Sequence, residues 1–127
     1  MIAAHDFYEN DYAQFWIADH ILFFKYKSNT NIDLKVAQKV VTDRIHFQNE
    51  RSYAVLCDIR GVVSTDKASR DYLAQSGSIL TKAVGLIVHE KVLLTISTFY
   101  LQISKPTVPT QIFTTEASAL IYLKTFS

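Results

Sequence analysis

Hydrophobic and polar residues follow two spacings along the chain, one typical of strands and one typical of helices. Two aromatic and β-branched runs, residues 12–17 and 21–27, flank Ala18-Asp19-His20 and predict a β-hairpin. After a short polar loop, Asp33 can cap a helix that is expected to end near Asn49. The apolar stripe predicted for this helix consists of Leu34, Ala37, Val41 and Ile45.

Two later runs, residues 53–59 and 83–88, are apolar without alternation, which is typical of strands covered on both faces. A helix is expected to follow each strand directly. The first helix should reach about Leu80, and the second should span residues 90–104 and end before Pro106. The candidate N-caps of the first of these helices are Ser64, Thr65 and Asp66.

Residues 111–114 predict a last short strand, and Thr115 can cap a final helix. The predicted order is therefore β-β-α-β-α-β-α-β-α. Because strands alternate with helices after the hairpin, we expect an α/β fold with a mixed, mostly parallel five-stranded sheet and four helices. No stretch resembles a linker, so residues 1–127 are predicted to form a single domain in which only residues 1–10 are candidates for a loose segment.

The chain carries 13 basic and 12 acidic side chains, which nearly cancel, so its charge does not favour nucleic acid as a partner. Cys57 is the single cysteine, which excludes a disulfide framework and fits a reducing compartment. The first residues lack the pattern of a signal peptide, and no run approaches the ~18 apolar residues of a membrane span. We therefore expect a soluble, cytoplasmic protein.

Three segments together resemble a known family. They are Asp58-Ile59-Arg60-Gly61, the stretch from Phe99-Tyr100-Leu101 to Lys105-Pro106, and Pro109-Thr110-Gln111-Ile112-Phe113 with Glu116-Ala117. With the β-β-α opening, they are similar to a bacterial family of unknown function that has the STAS-like fold of the anti-sigma-factor antagonists. The resemblance covers about residues 12–126 and implies the fold, but little about activity.

In the true antagonists, a partner kinase phosphorylates a serine at the start of the helix after the central strand. The resemblance implies Ser64 or Thr65 as the equivalent position, where a phosphate would meet helix N–H groups and basic neighbours. The alternative is that one hydroxyl simply caps the helix. We expect a non-enzymatic domain that docks to a protein partner through this loop and helix start. The candidate partner-binding or phosphorylation residues are Asp58, Arg60, Ser64, Thr65, Lys67 and Arg70.

A catalytic alternative would use the carboxyl ends of the parallel strands, where open α/β sheets bind ligands. The candidates at this rim are Asp58, Arg60, His89, Thr114 and Thr115. His89 beside Glu90 is a possible acid or base, but no nucleophile motif and no glycine-rich phosphate loop accompany it. The remaining histidines lack metal-ligand spacing. We therefore expect neither an enzyme nor a bound metal or cofactor.

The opening hairpin carries large aromatic side chains on both faces. If helices cover only one face, the other is available for self-association, and we expect a homodimer; packing under the first and last helices is the alternative. Tyr100 and the turn at residues 105–109 could also rim an apolar pocket. The alternative function is therefore the binding of a small molecule or lipid in such a pocket.

Overall fold

The computed structural model describes residues 7–127, which contain eight strands and four α-helices. The strands are β1 (Phe7–Glu9), β2 (Ala13–Ala18), β3 (Ile21–Tyr26), β4 (Thr30–Ile32), β5 (Tyr53–Asp58), β6 (Val62–Thr65), β7 (Thr81–Ile87) and β8 (Thr110–Phe113). The helices are α1 (Leu34–Gln48), α2 (Lys67–Gln75), α3 (Leu93–Ile96) and α4 (Glu116–Lys124).

The central sheet has six strands in the order β1-β2-β3-β5-β7-β8. The pairs β1–β2 and β2–β3 are antiparallel, whereas β3–β5, β5–β7 and β7–β8 are parallel. This arrangement confirms the predicted α/β fold with a mixed, mostly parallel sheet and an N-terminal hairpin. It differs in strand number, because β1 joins the sheet and the short strands β4 and β6 form a separate parallel pair.

The N-terminal strand is held to the domain by a carboxylate on α1. The Tyr8 hydroxyl and the Asn10 side-chain amide each donate a hydrogen bond of 2.9 Å to Oδ2 of Asp43. Of residues 1–10, the candidates for a loose segment, residues 7–10 are bonded to the rest of the domain in this way, and the first six residues lie outside the described part of the chain. A three-residue strand is too short to show a period in the sequence.

The turn of the hairpin contains only two residues, Asp19 and His20, with φ angles of 51° and 64°. Two successive left-handed residues are typical of a type I′ turn, whose twist matches that of the flanking strands. The turn therefore fixes the register in which Phe15 faces Phe24 and Trp16 faces Phe23.

Helix α1 begins and ends at the predicted residues. The Asp33 carboxylate accepts a hydrogen bond of 2.8 Å from the N–H of Val36, and Asn49 ends the helix in a left-handed conformation. The inward stripe differs from the prediction, because Leu34 is 39% exposed. The buried residues of α1 are Val36, Ala37, Val40, Val41, Arg44 and Gln48.

Two apolar layers cover the sheet. On one face, α1 and α2 pack over a cluster that includes Phe15, Phe24 and Val55. On the other face, α4 packs on β5, β7 and β8 over a cluster that includes Leu56 and Leu123. Successive residues of β5 therefore point to different layers, because side chains alternate along a strand.

The predicted helix over residues 90–104 forms, but it is not a regular α-helix. It consists of a 3₁₀ turn at Glu90–Val92, the short helix α3, and π-helical turns at Ser97–Ser104. We call the whole stretch the helical segment 90–104. Helices that depart from α geometry in this way often lie at functional sites. Within residues 7–127, no helix has both the length and the apolar character needed to cross a membrane.

Candidate functional site

The loop after β5 is held by the carboxylate of Asp58. Nε and one terminal nitrogen of Arg60 donate to the two carboxylate oxygens at 3.0 and 2.8 Å, and the Arg60 N–H also donates to Oδ1 at 3.0 Å. Asp58 is buried, whereas Arg60 is exposed. This bidentate pair therefore fixes the shape of the loop, and the charges of Asp58 and Arg60 are engaged with each other.

The Asp58 carboxyl is ionised more readily than an ordinary one. Burial alone would raise its pKa, but the hydrogen bonds and charge of Arg60, with the charge of Lys25, outweigh burial and lower the pKa. A lowered folded-state pKa stabilises the fold above the ordinary carboxyl pKa of about 4. This contribution is lost as the pH falls through the lowered value.

We expect Asp58→Asn to reduce the free energy of unfolding at pH 7 by about 1–2 kcal/mol, since the variant loses charge-assisted hydrogen bonds to Arg60. The difference from the wild-type protein should shrink below about pH 4. Urea unfolding at several pH values measures it, with the exposed Glu50→Gln as a control. A difference that grows toward acid pH would contradict this account.

The hydroxyls that were phosphorylation candidates lie on β6, not at a helix start. Ser64 donates to the Asn31 side chain at 2.6 Å, and the Thr65 hydroxyl lies 2.7 Å from that of Ser69. Asp66 is the N-cap of α2 and forms a capping box with Ser69. The helix therefore does not follow β5 directly, and the N–H of Ser69 in its first turn donates to the Asp66 carboxylate. Phosphorylation of Ser64 or Thr65 stays a prediction.

Two basic candidates on α2 have different surroundings. Lys67 forms an exposed ion pair with Asp71, one turn along the helix, at 2.5 Å. Arg70 instead donates to the backbone oxygen of Thr65 at 3.1 Å, and its guanidinium lies 5.5 Å from the centre of the Phe99 ring. Nε of Arg70 is buried and has no hydrogen-bond partner among the described residues.

A cavity of about 640 Å³ lies on the α1/α2 face of the sheet. Its floor is formed by side chains of β3, β5 and β7, and its walls come from α1, α2, β6 and the helical segment 90–104. Most of its lining is aliphatic or aromatic, including Val55, Val84 and Phe99. Tyr100 and Pro106, from the region predicted to rim an apolar pocket, also line it.

Arg44 is a functional candidate that the sequence reasoning missed. Its side chain lines the cavity and is only 4% exposed, and it donates to the backbone oxygens of Gly77 and Ile79 at 3.0 Å and to the Gln48 side chain. Burial lowers its pKa to about 10, so Arg44 remains protonated at neutral pH. All three acceptors are neutral, and no carboxylate pairs with Arg44 in the described part of the chain.

Three further ionisable groups in the cavity are held neutral. Burial raises the pKa of the Cys57 thiol to about 12 and raises the pKa values of the Tyr26 and Tyr100 phenols. Cys57 is therefore not an activated nucleophile at neutral pH. These groups contribute packing surface to the cavity.

The strand-end rim is formed as predicted, but its residues do not share one site. The carboxyl ends of β5, β7 and β8 are adjacent, since Asp58 pairs with Ile87 and Ile87 with Phe113. His89 lines the cavity, whereas Asp58, Thr114 and Thr115 are absent from its lining. Thr115 caps α4 by accepting from the N–H of Ser118 at 3.2 Å.

One face of the hairpin carries a row of stacked rings. Phe7, Trp16 and Phe23 stack with ring centres 6.3 and 5.5 Å apart, and all three rings are partly exposed. The opposite face, with Phe15 and Phe24, is buried. Self-association through the exposed row, and hence the homodimer, stays a prediction.

Comparisons with known proteins agree with this fold. A family model described as a domain of unknown function, DUF7793, matches residues 15–127. No curated protein matches the chain. Among solved structures, the chain is similar to an uncharacterised protein of the DUF3478 family with a SpoIIAA-like fold from Shewanella loihica PV-4, with a TM-score of 0.56 and 14% identity over 91% of this chain and 98% of that chain. This likeness confirms the predicted STAS-like fold.

Proposed function

Since the chain belongs to the DUF7793 family, whose description assigns no function, we propose that this STAS-like domain binds an apolar small molecule in the cavity between its sheet and its helices. The cavity itself is the observation that carries the proposal. A volume of about 640 Å³ lies within the range of ligand sites, which are mostly apolar with few polar groups.

The structure of the lining supports binding without catalysis. The pair considered for an enzyme, Asp58 and His89, is divided, because only His89 faces the cavity. Asp58 is engaged by Arg60, and the thiol of Cys57 is protonated at neutral pH. The proposed role is therefore that of a carrier or sensor of its ligand.

Docking to a protein through residues 60–70 stays a prediction, but the charges on which it depended are largely engaged inside the domain. Arg60 pairs with Asp58, and Lys67 pairs with Asp71. A partner would have to compete with these contacts. Binding of an apolar ligand in the cavity requires no such competition with internal ion pairs.

The cavity can be tested by filling it. Val84 lies on the floor, so we expect Val84→Phe to occupy part of the ligand volume and to weaken binding of the uncharged dye Nile red at least tenfold. Fluorescence titration of the purified protein measures this affinity, and native mass spectrometry records any copurified ligand. The free energy of unfolding should change little, because the larger side chain has empty space to enter.

The matched control is Ile121→Phe, which enlarges a side chain that is 73% exposed on α4, away from the cavity. It should leave the Nile red affinity unchanged. The proposal fails if the wild-type protein shows no saturable binding, or if both variants bind as the wild-type protein does.

A further inference from the structure

The charged groups of the cavity lining are all basic. They are Arg44, Arg60, Arg70 and Lys91, and no aspartate or glutamate lines the cavity among residues 7–127. The chain as a whole is nearly neutral, with 13 basic and 12 acidic residues, so this imbalance belongs to the cavity and not to the overall composition. An apolar site with an excess of positive charge is complementary to a ligand that is both apolar and anionic.

The basic groups of this lining are not equivalent. Asp58 neutralises Arg60 through two hydrogen bonds. Arg44 has no anionic partner within residues 7–127, but its hydrogen bonds to Gly77, Ile79 and Gln48 fix its position. Arg44 therefore contributes a fixed positive charge to the cavity, whereas most of its hydrogen-bond donors are already used.

Arg70 has a guanidinium whose hydrogen-bond donors are mostly unused within the described residues. Among the described residues, only one nitrogen of this group, a terminal one, has a hydrogen-bond partner, the Thr65 backbone oxygen at 3.1 Å, and the group lies over the Phe99 ring. A guanidinium has five N–H donors, so most of those of Arg70 are not used within the described part of the chain. A carboxylate in the cavity would supply acceptors for the donors that line it.

On these grounds, and building on the proposed binding function, we infer that the cavity takes a long-chain carboxylate whose head group pairs with the guanidinium of Arg70. A guanidinium presents its donors in one plane, which matches the two oxygens of a carboxylate. The alkyl chain would lie along the aliphatic lining, which includes Val55 and Val84. The fixed charge of Arg44 further favours an anion inside the cavity.

Three ligands of equal chain length distinguish the contribution of the head group to the binding affinity from that of the alkyl chain. Displacement of Nile red by laurate, lauryl alcohol and laurylammonium gives the three affinities for the wild-type protein. We expect laurate to bind about tenfold more tightly than lauryl alcohol, because only laurate can form the charge-assisted bond. Laurylammonium should bind most weakly, since its charge opposes that of the lining.

Substitutions at two positions of α2 test whether the preference for laurate depends on Arg70. Arg70→Gln should remove most of the tenfold preference for laurate over lauryl alcohol, whereas Lys67→Gln, which removes the same charge outside the cavity, should keep it. Arg70→Lys retains the charge and should keep part of the preference. Thermal melts of each variant verify that it is folded.

The outcomes distinguish this inference from the proposed function. If lauryl alcohol binds as tightly as laurate, or if the preference survives in Arg70→Gln, the head-group assignment is wrong and the apolar cavity remains. If no chain displaces Nile red, and Nile red itself does not bind saturably, the proposed function fails as well.

Discussion

Gly61→Ala is expected to lower the free energy of unfolding by about 1–3 kcal/mol or more, since an added methyl group has no space to occupy. A Cβ atom at this position would lie 2.7 Å from the carbonyl carbon of Lys27 and 2.8 Å from the backbone oxygen of Tyr26. Both atoms belong to the backbone, so no side-chain rotation relieves the overlap. Urea unfolding followed by circular dichroism should show a lower midpoint with an unchanged slope.

The close approach at Gly61 also positions one wall of the cavity. The Gly61 backbone oxygen accepts a hydrogen bond of 3.0 Å from the N–H of Thr30, next to the pairing of β4 with β6. Val62, Ser64 and Thr65 of β6 line the cavity. Moving the Gly61 loop to accept a methyl group would therefore displace this wall, and we expect Nile red affinity to fall together with stability.

Gly77→Ala is the matched control, because it makes the same chemical change where there is space. A Cβ atom at Gly77 would lie 3.6 Å from its nearest neighbour, the Cβ of Leu73. The variant should be as stable as the wild-type protein, or more stable by about 0.4–1 kcal/mol, since alanine restricts the unfolded chain. Equal stabilities for the Gly61 and Gly77 variants would show that the close approach of Gly61 to the backbone of Tyr26 and Lys27 does not contribute to stability.

Most of the fold could be predicted because its signals are local. The hairpin, the cap of α1 at Asp33, the end of α1 at Asn49 and the cap of α4 at Thr115 each depend on residues within a few positions. Three of the four strands with only three or four residues, β1, β4 and β6, were missed, because so short a segment shows almost no period. The sequence left the start of α2 open among three adjacent candidate caps, and the structure shows that Asp66 is the N-cap.

The site was harder to predict than the fold, because no short segment contains it. The Asp58–Arg60 motif was visible in the sequence, but the structure shows that its charges hold a loop. The cavity combines residues from strands and helices that are far apart in the chain. One signal was available: Arg44 and Gln48 continue the helical spacing of Val36 and Val40, so two polar residues lie on the buried stripe of α1.

Phe15→Ala is expected to produce the largest loss of stability, about 3–5 kcal/mol out of the 5–15 kcal/mol typical of a domain. Phe15 is fully buried, and its ring centre lies 4.8 Å from that of Tyr8, 5.1 Å from that of Phe24 and 5.3 Å from that of Phe47. The ring therefore joins β1, β2, β3 and α1. Its removal leaves a void where several elements meet, and neighbouring side chains can fill it only in part.

Trp16→Ala tests whether the loss of stability depends on the burial of the ring or on its size. Trp16 is the next residue along β2, and its side chain lies on the opposite face of the sheet. Its ring stacks on Phe7 and Phe23 but is partly exposed, so its removal should cost less than that of Phe15 despite the larger side chain. Urea unfolding of the two variants at one protein concentration gives the comparison. A larger loss for Trp16→Ala would mean that the exposed row of rings is covered in solution, and repeating both measurements at several protein concentrations would show whether a second copy of the chain covers it.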